Sequence, residues 1–270
     1  MSDFDLIALD LDGTLLDSHE QISTRNHRAI AGALQAGVRV VLVTGRGADT
    51  PSRVAHELGL NVPIICAHGA LTKDFLSGKV LGHIPIPLRC AVPLLEFGER
   101  ERLAAAVYTD EKFYRLKSSP IYMDDQKGPG WAEIDRFEEV LASAPTFIRF
   151  LGAEAVEAVR KTFADMPLLF KHESWGTFEE LAITSRRATK ERALEELCRT
   201  YAIPAERVLA IGDSRNDVPM LKWSGLGIAM ANALPEVRDA VTTQTGTNDE
   251  DGVAEAIERY VLSGDARKSA

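Results

Sequence analysis

The chain is poor in cysteine, in aromatic residues and in positive charge. Three of its 270 residues are cysteine, 7% are aromatic, and 31 lysines and arginines stand against 40 aspartates and glutamates. The cysteines are scattered without metal-ligand spacing, so we expect reduced thiols in a cytoplasmic protein. The net charge of −9 argues against nucleic acid as a partner, whereas a bound divalent cation would still admit an anionic substrate by inverting the local field.

Long apolar runs are also absent from the sequence. No run approaches the roughly 18 apolar residues that span a bilayer, so we expect no membrane partner and exclude a membrane-spanning ion pump. The first residues, Met1–Asp5, are acidic and lack the basic segment and apolar core of a secretory signal. At 270 residues the chain is long enough for two domains.

Apolar strands alternate with amphipathic helices in the first and last parts of the chain. The predicted strands are nearly continuous apolar runs, as is typical of parallel sheets: Leu6–Leu9, Val38–Val43, Val62–Cys66, Val208–Ile211 and Gly227–Met230. The predicted helices lie near Thr24–Gln35, Pro51–Leu58, Lys190–Tyr201, Asp217–Trp223 and Val253–Leu262. This order predicts an α/β fold with a Rossmann-like, doubly wound parallel sheet core, formed by residues 1–83 and 184–270.

Residues 84–183 have a different pattern and are predicted to form an inserted α+β cap domain that carries substrate specificity. Strands are expected here at Ala104–Thr109, Phe113–Leu116, Pro145–Leu151 and Thr177–Ile183. Helices are expected near Val92–Arg102 and Glu154–Phe163. Seven side chains are candidates to line its inner face, although most are expected to pack or to face water: Tyr108, Tyr114, Lys117, Tyr122, Lys171, His172 and Trp175.

Two aspartates stand directly after the first predicted strand. Asp10 and Asp12 are two residues apart on extended backbone, so they share one side at the carboxyl end of the strand, where α/β folds bind ligands. An aspartate can attack phosphorus as a nucleophile, and a neighbouring acid can protonate the leaving oxygen. For this segment taken alone, a metal-binding loop or a charged turn is the alternative.

Three further polar groups follow predicted strands or begin predicted helices. Thr44-Gly45-Arg46 can hold phosphate oxygens through a hydroxyl and backbone N–H groups, or can be a plain turn. Lys190 can neutralise a phosphate, or can be a surface lysine. Asp213 suits a hard cation such as Mg²⁺ and Asn216 can donate to phosphate, or the segment can be a capped helix start with Asp217 near the positive helix end. A doubly wound sheet would bring all these positions to one edge, which favours the functional interpretation of the whole set.

On these motifs the sequence resembles the haloacid dehalogenase superfamily of phosphohydrolases, and it is most similar to the Cof-type subgroup, which carries a large α/β cap. The matching segments are Asp10–Leu16, Thr44–Arg46, Lys190, Gly212–Leu221 and Glu250–Val253. The resemblance covers both parts of the predicted core, whereas in the cap it rests on position and length alone.

The resemblance implies a role for each matching residue. Asp10 would be the nucleophile, Asp12 the general acid/base, and Lys190 the third catalytic residue, holding the phosphoryl group. The cofactor would be Mg²⁺, and the residues implied to hold it are Asp10, Asp12 (through its backbone carbonyl), Asp213 and Asp217, the last of which would support the metal's water shell or orient Lys190. The residues implied to contact the substrate are Thr44, Gly45, Arg46, His68, Lys190 and Asn216.

His68 departs from the family pattern, because the segment His68-Gly69-Ala70 stands where Asn-Gly-Ala is frequent. A histidine there can bind a substrate hydroxyl or titrate near neutral pH, or it can be a tolerated exchange in a loop. Both interpretations stay open on the sequence.

These motifs predict a Mg²⁺-dependent phosphatase that hydrolyses phosphate monoesters of small metabolites, sugar phosphates above all, through an aspartyl-phosphate intermediate. A phosphomutase of the same superfamily, or a sugar-phosphate sensor with vestigial activity, is the alternative. The expected partner is a small phosphorylated metabolite. The chain is expected to be a monomer or a weak dimer.

Overall fold

The computed structural model describes residues 2–109, 112–119, 130–175 and 178–263. Contacts divide the chain into a core unit, Met1–Gly82 with Thr189–Ala270, and an inserted unit, His83–Ala188. The second boundary therefore falls later than residue 183, because the strand that ends the inserted unit, Phe178–Ser185, continues past that residue.

The bounds of the helices and strands follow the chain. Those before the insertion are β1 Leu6–Leu9, α1 Thr24–Gln35, β2 Arg39–Leu42, α2 Asp49–Glu57, β3 Ile64–Cys66, β4 Leu71–Lys73 and β5 Val80–His83. Those of the insertion are α3 Leu88–Arg100, β6 Ala104–Thr109, β7 Lys112–Leu116, β8 Trp131–Ile134, β9 Phe147–Leu151, α4 Ala153–Phe163, β10 Leu168–Trp175 and β11 Phe178–Ser185. Those after it are α5 Lys190–Thr200, β12 Val208–Gly212, α6 Val218–Trp223, β13 Leu226–Met230, α7 Pro235–Arg238, β14 Thr243–Thr245 and α8 Gly252–Ile257, which continues as a π-helical turn over Glu258–Leu262. None of the helices in the described ranges is both long enough and apolar enough to cross a bilayer.

The core unit is built on a parallel sheet of five strands in the order β14-β13-β12-β1-β2. Successive side chains of β1 point to opposite faces of this sheet. Ile7 and Leu9 pack in the apolar cluster that includes α1, α2 and α8, whereas Leu6 and Ala8 pack in the cluster that includes α5 and α6. Both faces are covered by helices, which is why the strand is apolar at every position. The predicted doubly wound α/β fold is therefore confirmed.

The third predicted strand takes a different course from the expected one. Strand β3 touches the main sheet through a bridge between Val43 and Ile65, and it pairs antiparallel with β4 in a separate sheet of three strands. The backbone of Ala67 and His68 is left-handed, with φ of 50° and 56°, so the chain reverses directly after β3. The strand Thr243–Thr245 was not predicted, because its polar sequence lacks the apolar run of a parallel strand.

The inserted unit is a sheet of six strands in the order β10-β11-β9-β6-β7-β8, antiparallel except between β7 and β8. One face of it packs on α3 and α4 through an apolar cluster that includes Val107, Phe150 and Leu181. Strands β8 and β10 were not predicted. The predicted α+β character of this segment is confirmed.

Candidate active site

The carboxyl ends of three neighbouring strands carry the polar motifs. Asp10 follows β1, Thr44 lies two residues beyond the end of β2, and Asp213 follows β12. Strand β1 lies between β2 and β12 in the parallel sheet, so the loops that follow these strands meet at one edge. Lys190 is the first residue of α5, whose N-cap Thr189 accepts a hydrogen bond from the Arg192 backbone N–H through its side chain at 3.3 Å.

Lys190 joins two carboxylates in the interior of the core unit. Its Nζ donates to Asp10 Oδ1 and to Asp217 Oδ1, each at 2.7 Å. The three side chains are 1%, 5% and 0% exposed for Lys190, Asp10 and Asp217, respectively, so water contributes little to their solvation. The structure thus places Lys190 beside Asp10 as a buried ion pair, and not at the surface.

Asp217 is held at both of its oxygens. While Oδ1 accepts from Lys190, Oδ2 accepts from the backbone N–H groups of Asp213 and Ser214 at 3.2 and 3.0 Å and from the Ser214 hydroxyl at 2.9 Å. The same serine hydroxyl also donates to the Oδ1 atom of Asn216 at 3.0 Å. Asp217 therefore ties the turn after β12 to Lys190, which agrees with an orienting role.

The site holds more negative than positive charge. Oxygen atoms of Asp10, Asp213 and Asp217 lie within 4.8 Å of one another, and Lys190 offers them one ammonium group. Burial and the Asp217 charge raise the pKa of Asp10 well above its ordinary value, although Lys190 acts in the opposite direction. Burial and Asp217 also raise the pKa of Asp213 to about 6, against the hydrogen bond from Thr14. Clustered carboxylate oxygens with unbalanced charge suit a hard divalent cation, so the donor set fits Mg²⁺.

Asp12 lies apart from this cluster. Its carboxylate is 49% exposed and accepts from Arg46, with Nε 3.0 Å from each oxygen and Nη2 2.5 Å from Oδ1. Arg46 also donates to Glu20 at 2.7 Å. The predicted substrate-contacting arginine is thus paired with two carboxylates, and the Asp12 side chain is absent from the acidic cluster found among the described residues.

The segment 44–46 is fixed against the turn that follows β3. Thr44 is buried, its Oγ1 accepts from the Arg46 N–H at 3.1 Å, and its carbonyl accepts from the His68 N–H at 3.0 Å. The imidazole of His68 lies close to Gly45, since a Cβ at Gly45 would be 2.4 Å from His68 Cε1. A side chain at position 45 would have to displace this ring, so glycine suits the close approach.

Comparison with known proteins identifies the family. A sequence profile of the haloacid dehalogenase-like hydrolases matches residues 7–257. The chain belongs to this family. It is 30% identical to phosphatase YwpJ of Bacillus subtilis, with 95% of this chain and 99% of that protein covered. It is 28% identical to the pyridoxal phosphate phosphatase YbhA of Escherichia coli, with coverages of 95% and 98%.

Solved structures lead to the same family. A haloacid dehalogenase-like hydrolase from Bacteroides thetaiotaomicron matches with a TM-score of 0.84 at 29% identity, over 95% of this chain and 99% of that one. The predicted superfamily, fold class and enzyme class, a hydrolase of the phosphatase type, are therefore confirmed.

In this hydrolase, several residues that shape the site were not among the predicted ones. Gly69 has φ of +90°, and a Cβ there would be 2.2 Å from the Thr189 carbonyl oxygen, so its bare backbone lets the start of α5 approach. Thr14 donates to Asp213 Oδ1 at 2.9 Å. The side-chain amides of Asn232 and Asn248 donate to backbone carbonyl groups of the loop after Asp12. Of these contacts, the close approach of Gly69 to Thr189 is the one that a sequence signal could have indicated, because a glycine in a loop often marks such an approach.

The candidate residues of the inserted unit have partners of their own. Tyr108 is buried against Phe113 and Phe147, with ring centroids 4.7 and 5.2 Å away. The basic and histidine candidates are each engaged within the unit: Lys117 with Asp135, Lys171 with Thr184 and His172 with Glu179. Tyr114 packs partly buried on the apolar cluster, while Tyr122 and the side chain of Trp175 lie outside the described part of the chain. Their role in specificity stays a prediction.

Proposed function

We propose that this protein is a Mg²⁺-dependent phosphatase that hydrolyses phosphate monoesters of small metabolites, with sugar phosphates as the first class to test. Membership of the hydrolase family supports it, as do relatives named as phosphatases, one of them for pyridoxal phosphate. The observation that carries it is the buried Lys190–Asp10 pair beside Asp213, at the carboxyl end of the sheet. A cytoplasmic location stays a prediction; the three cysteines are free and buried thiols.

In the first step of the proposed reaction, an Asp10 carboxylate oxygen attacks the phosphorus of the ester. A bond forms between that oxygen and phosphorus, the ester P–O bond breaks, and the alcohol leaves with a proton supplied by Asp12. Lys190, with the Thr44 hydroxyl and the backbone of Gly45, holds the phosphoryl oxygens and offsets the repulsion between carboxylate and phosphate.

In the second step, water attacks the phosphorus of the aspartyl-phosphate. Asp12 takes a proton from this water, the bond between phosphorus and the Asp10 oxygen breaks, and inorganic phosphate leaves with the carboxylate restored. Asp10 and Asp213 would hold Mg²⁺, with Asp217 behind them, and the ion would supply charge neutralisation for the phosphoryl oxygens. Asp217 keeps Lys190 directed at Asp10 in both steps.

The first test measures phosphate release from a panel of phosphorylated metabolites, with Mg²⁺ or with a chelator. The wild type is compared with Asp10→Asn and with Asp239→Asn, which changes an exposed aspartate of the core unit. We expect Mg²⁺-dependent release that Asp10→Asn abolishes and Asp239→Asn keeps. Turnover retained by Asp10→Asn would contradict the mechanism, and transfer of the phosphoryl group to a second position of the sugar would indicate a mutase.

A second test asks for the covalent intermediate. With a substrate that is labelled in its phosphate and whose leaving alcohol departs without protonation, Asp12→Asn should still form the aspartyl-phosphate but hydrolyse it slowly, so acid quenching should trap label on protein. Asp10→Asn should carry no label under the same conditions. Label on both variants would place the acceptor elsewhere.

A further inference from the structure

Two asparagines from the end of the core unit reach the loop that follows Asp12. Asn232, after β13, donates from Nδ2 to the Gly13 carbonyl oxygen at 2.7 Å and accepts at Oδ1 from the Asn248 backbone N–H at 3.0 Å. Asn248, after β14, donates from Nδ2 to the Leu16 carbonyl oxygen at 2.9 Å. We call Asn232 and Asn248 the asparagine clamp. It holds two carbonyl groups of one loop from one side.

The loop that the clamp holds is in direct contact with Asp213. Thr14 Oγ1 donates to Asp213 Oδ1 at 2.9 Å, and a Cβ on Gly13 would be 2.5 Å from Asp213 Oδ2. A rotation of the Gly13 carbonyl would turn the peptide that joins Gly13 to Thr14. The position of the Asp213 carboxylate relative to Asp10 therefore depends on how this carbonyl is oriented.

The clamp is not needed to close the loop. The backbone N–H groups of Thr14 and Leu16 already donate to the Leu11 carbonyl, at 3.3 and 2.9 Å. Asn232 is exposed, so water could satisfy its amide and the Gly13 carbonyl equally well. Its two directed hydrogen bonds consequently contribute orientation more than stability.

The other end of the clamp is firmly placed. The turn that carries Asn248 is closed by the Gly252 N–H, which donates to the Thr247 carbonyl at 3.0 Å, and by Thr245 Oγ1, which donates to the Gly252 carbonyl at 2.6 Å. A Cβ at Gly252 would lie 2.2 Å from the Gly246 carbonyl oxygen, so the two backbones are in close contact. Asn232 thus accepts from a turn whose backbone is fixed by several contacts of its own.

We propose that Asn232, held by Asn248, is a positioning residue that orients the Gly13 carbonyl and thereby sets Asp213 against Asp10 for divalent-cation binding. This rests on the proposed function, because it concerns the same cation site. Hydrogen bonds that fix the groups around a metal ligand tune metal affinity through the placement of that ligand.

The test measures Mg²⁺ binding by isothermal titration calorimetry for the wild type, Asn232→Ala and Asn248→Ala. We expect the Kd for Mg²⁺ to rise about threefold to tenfold in Asn232→Ala, and less in Asn248→Ala, as suits the loss of one directed hydrogen bond. Turnover should need correspondingly more Mg²⁺ for half-saturation, while KM for the substrate at saturating Mg²⁺ stays near the wild-type value. The thermal unfolding midpoint should stay within about 3 °C.

Two further variants separate orientation from other effects. Asp249 accepts an exposed hydrogen bond from the Ser18 N–H at 2.8 Å, at a part of the same loop that is farther from Asp213. Asp249→Ala removes this bond and should change the Kd for Mg²⁺ by less than about twofold. Asn232→Asp keeps the acceptor for Asn248 but loses the donor to Gly13. Because its added negative charge would by itself attract a cation, weaker Mg²⁺ binding in this variant would have to come from the lost donor.

Each result decides between the inference and the proposed function. An unchanged Kd in Asn232→Ala and Asn232→Asp, with a wild type that binds Mg²⁺, overturns the positioning role alone. A loss of affinity that appears only together with a large fall in the unfolding midpoint overturns it in favour of a structural role. A wild type that binds no Mg²⁺ overturns the metal part of the proposed function and this inference with it.

Discussion

Both units of the molecule bury charged side chains, but they balance the charge differently. In the inserted unit, Arg149 donates two hydrogen bonds to Glu180, from Nε to Oε1 at 2.7 Å and from Nη2 to Oε2 at 2.5 Å, so one positive group meets one negative group. In the core unit, Lys190 donates to both Asp10 and Asp217, and a carboxylate oxygen of Asp213 lies within 4.8 Å of oxygens of these two aspartates.

The difference in balance goes with a difference in position. Arg149 and Glu180 lie within β9 and β11, neighbouring antiparallel strands, where the planar guanidinium and carboxylate groups form a pair of parallel hydrogen bonds. The carboxylates of the core unit lie where parallel strands end. A balanced pair needs no further partner, whereas an excess of buried negative charge calls for a cation or a reactive group. Unbalanced charge at strand ends, rather than buried charge alone, marks the site.

Replacement of Lys190 should have the largest effect on turnover and stability, because it removes the positive charge beside the carboxylates of the core unit. Lys190→Met should lower kcat/KM by at least about 1000-fold and the free energy of unfolding by about 3–5 kcal/mol. Asp213, whose pKa is already raised to about 6, would bind protons more readily folded than unfolded, so the stability of this variant should rise as pH falls from 8 toward 5.

Phosphate release and denaturant unfolding at several pH values check this expectation. Lys222→Met, which changes an exposed lysine on α6, is the matched control and should leave both quantities near the wild-type values. A Lys190→Met variant as stable as the wild type at pH 8 would show that the carboxylates do not depend on this ammonium group.

Replacement of Arg149 tests the balanced Arg149–Glu180 pair of the inserted unit. Arg149→Met should lower the free energy of unfolding by about 2–4 kcal/mol, because it leaves Glu180 buried without its partner. Arg149→Met combined with Glu180→Leu should recover most of that loss. Denaturant unfolding measures both. A double variant that regains stability but loses turnover would assign the pair to ligand binding and remove the distinction drawn between the two units.

The smallest expected effects come from replacing one glycine in each unit, Gly45 in the core unit and Gly98 in the inserted unit. Gly45→Ala would push a Cβ to 2.4 Å from His68 Cε1, so we expect a loss of about 1–3 kcal/mol and about tenfold lower kcat/KM as segment 44–46 shifts. Gly98→Ala, in α3 of the inserted unit, meets Phe150 Cε1 at 3.0 Å but gains about 1 kcal/mol of helix propensity, so its net change should be small.

A double-mutant cycle with His68→Ala checks the cause. If the imidazole ring is what the new methyl group strikes, Gly45→Ala should be less harmful when His68 is already alanine. Purely additive effects on unfolding and on kcat/KM would mean that position 45 acts through its backbone instead.

Local features of the fold could be predicted from the sequence. Helix α1 has the predicted bounds, Thr24–Gln35, because its apolar stripe and the Ser23 cap, which accepts from the Asn26 N–H at 3.0 Å, are encoded within a few residues. The buried strands of the parallel sheet could likewise be predicted, because they are apolar runs. Short or polar strands such as Thr243–Thr245 were not, because pairing with a neighbour, rather than their own composition, makes them strands.

By itself the sequence determined which residue types stand at the ends of the core strands, since alternation of apolar and polar segments is a local property. Only the tertiary structure decided their partners: Asp12 with Arg46, His68 on Gly45, and Asn232 on Gly13 across 219 positions of chain. Such contacts join residues that share no periodicity or spacing. They arise only when the sheet brings distant loops to the same edge, so no pattern within one segment could have predicted them.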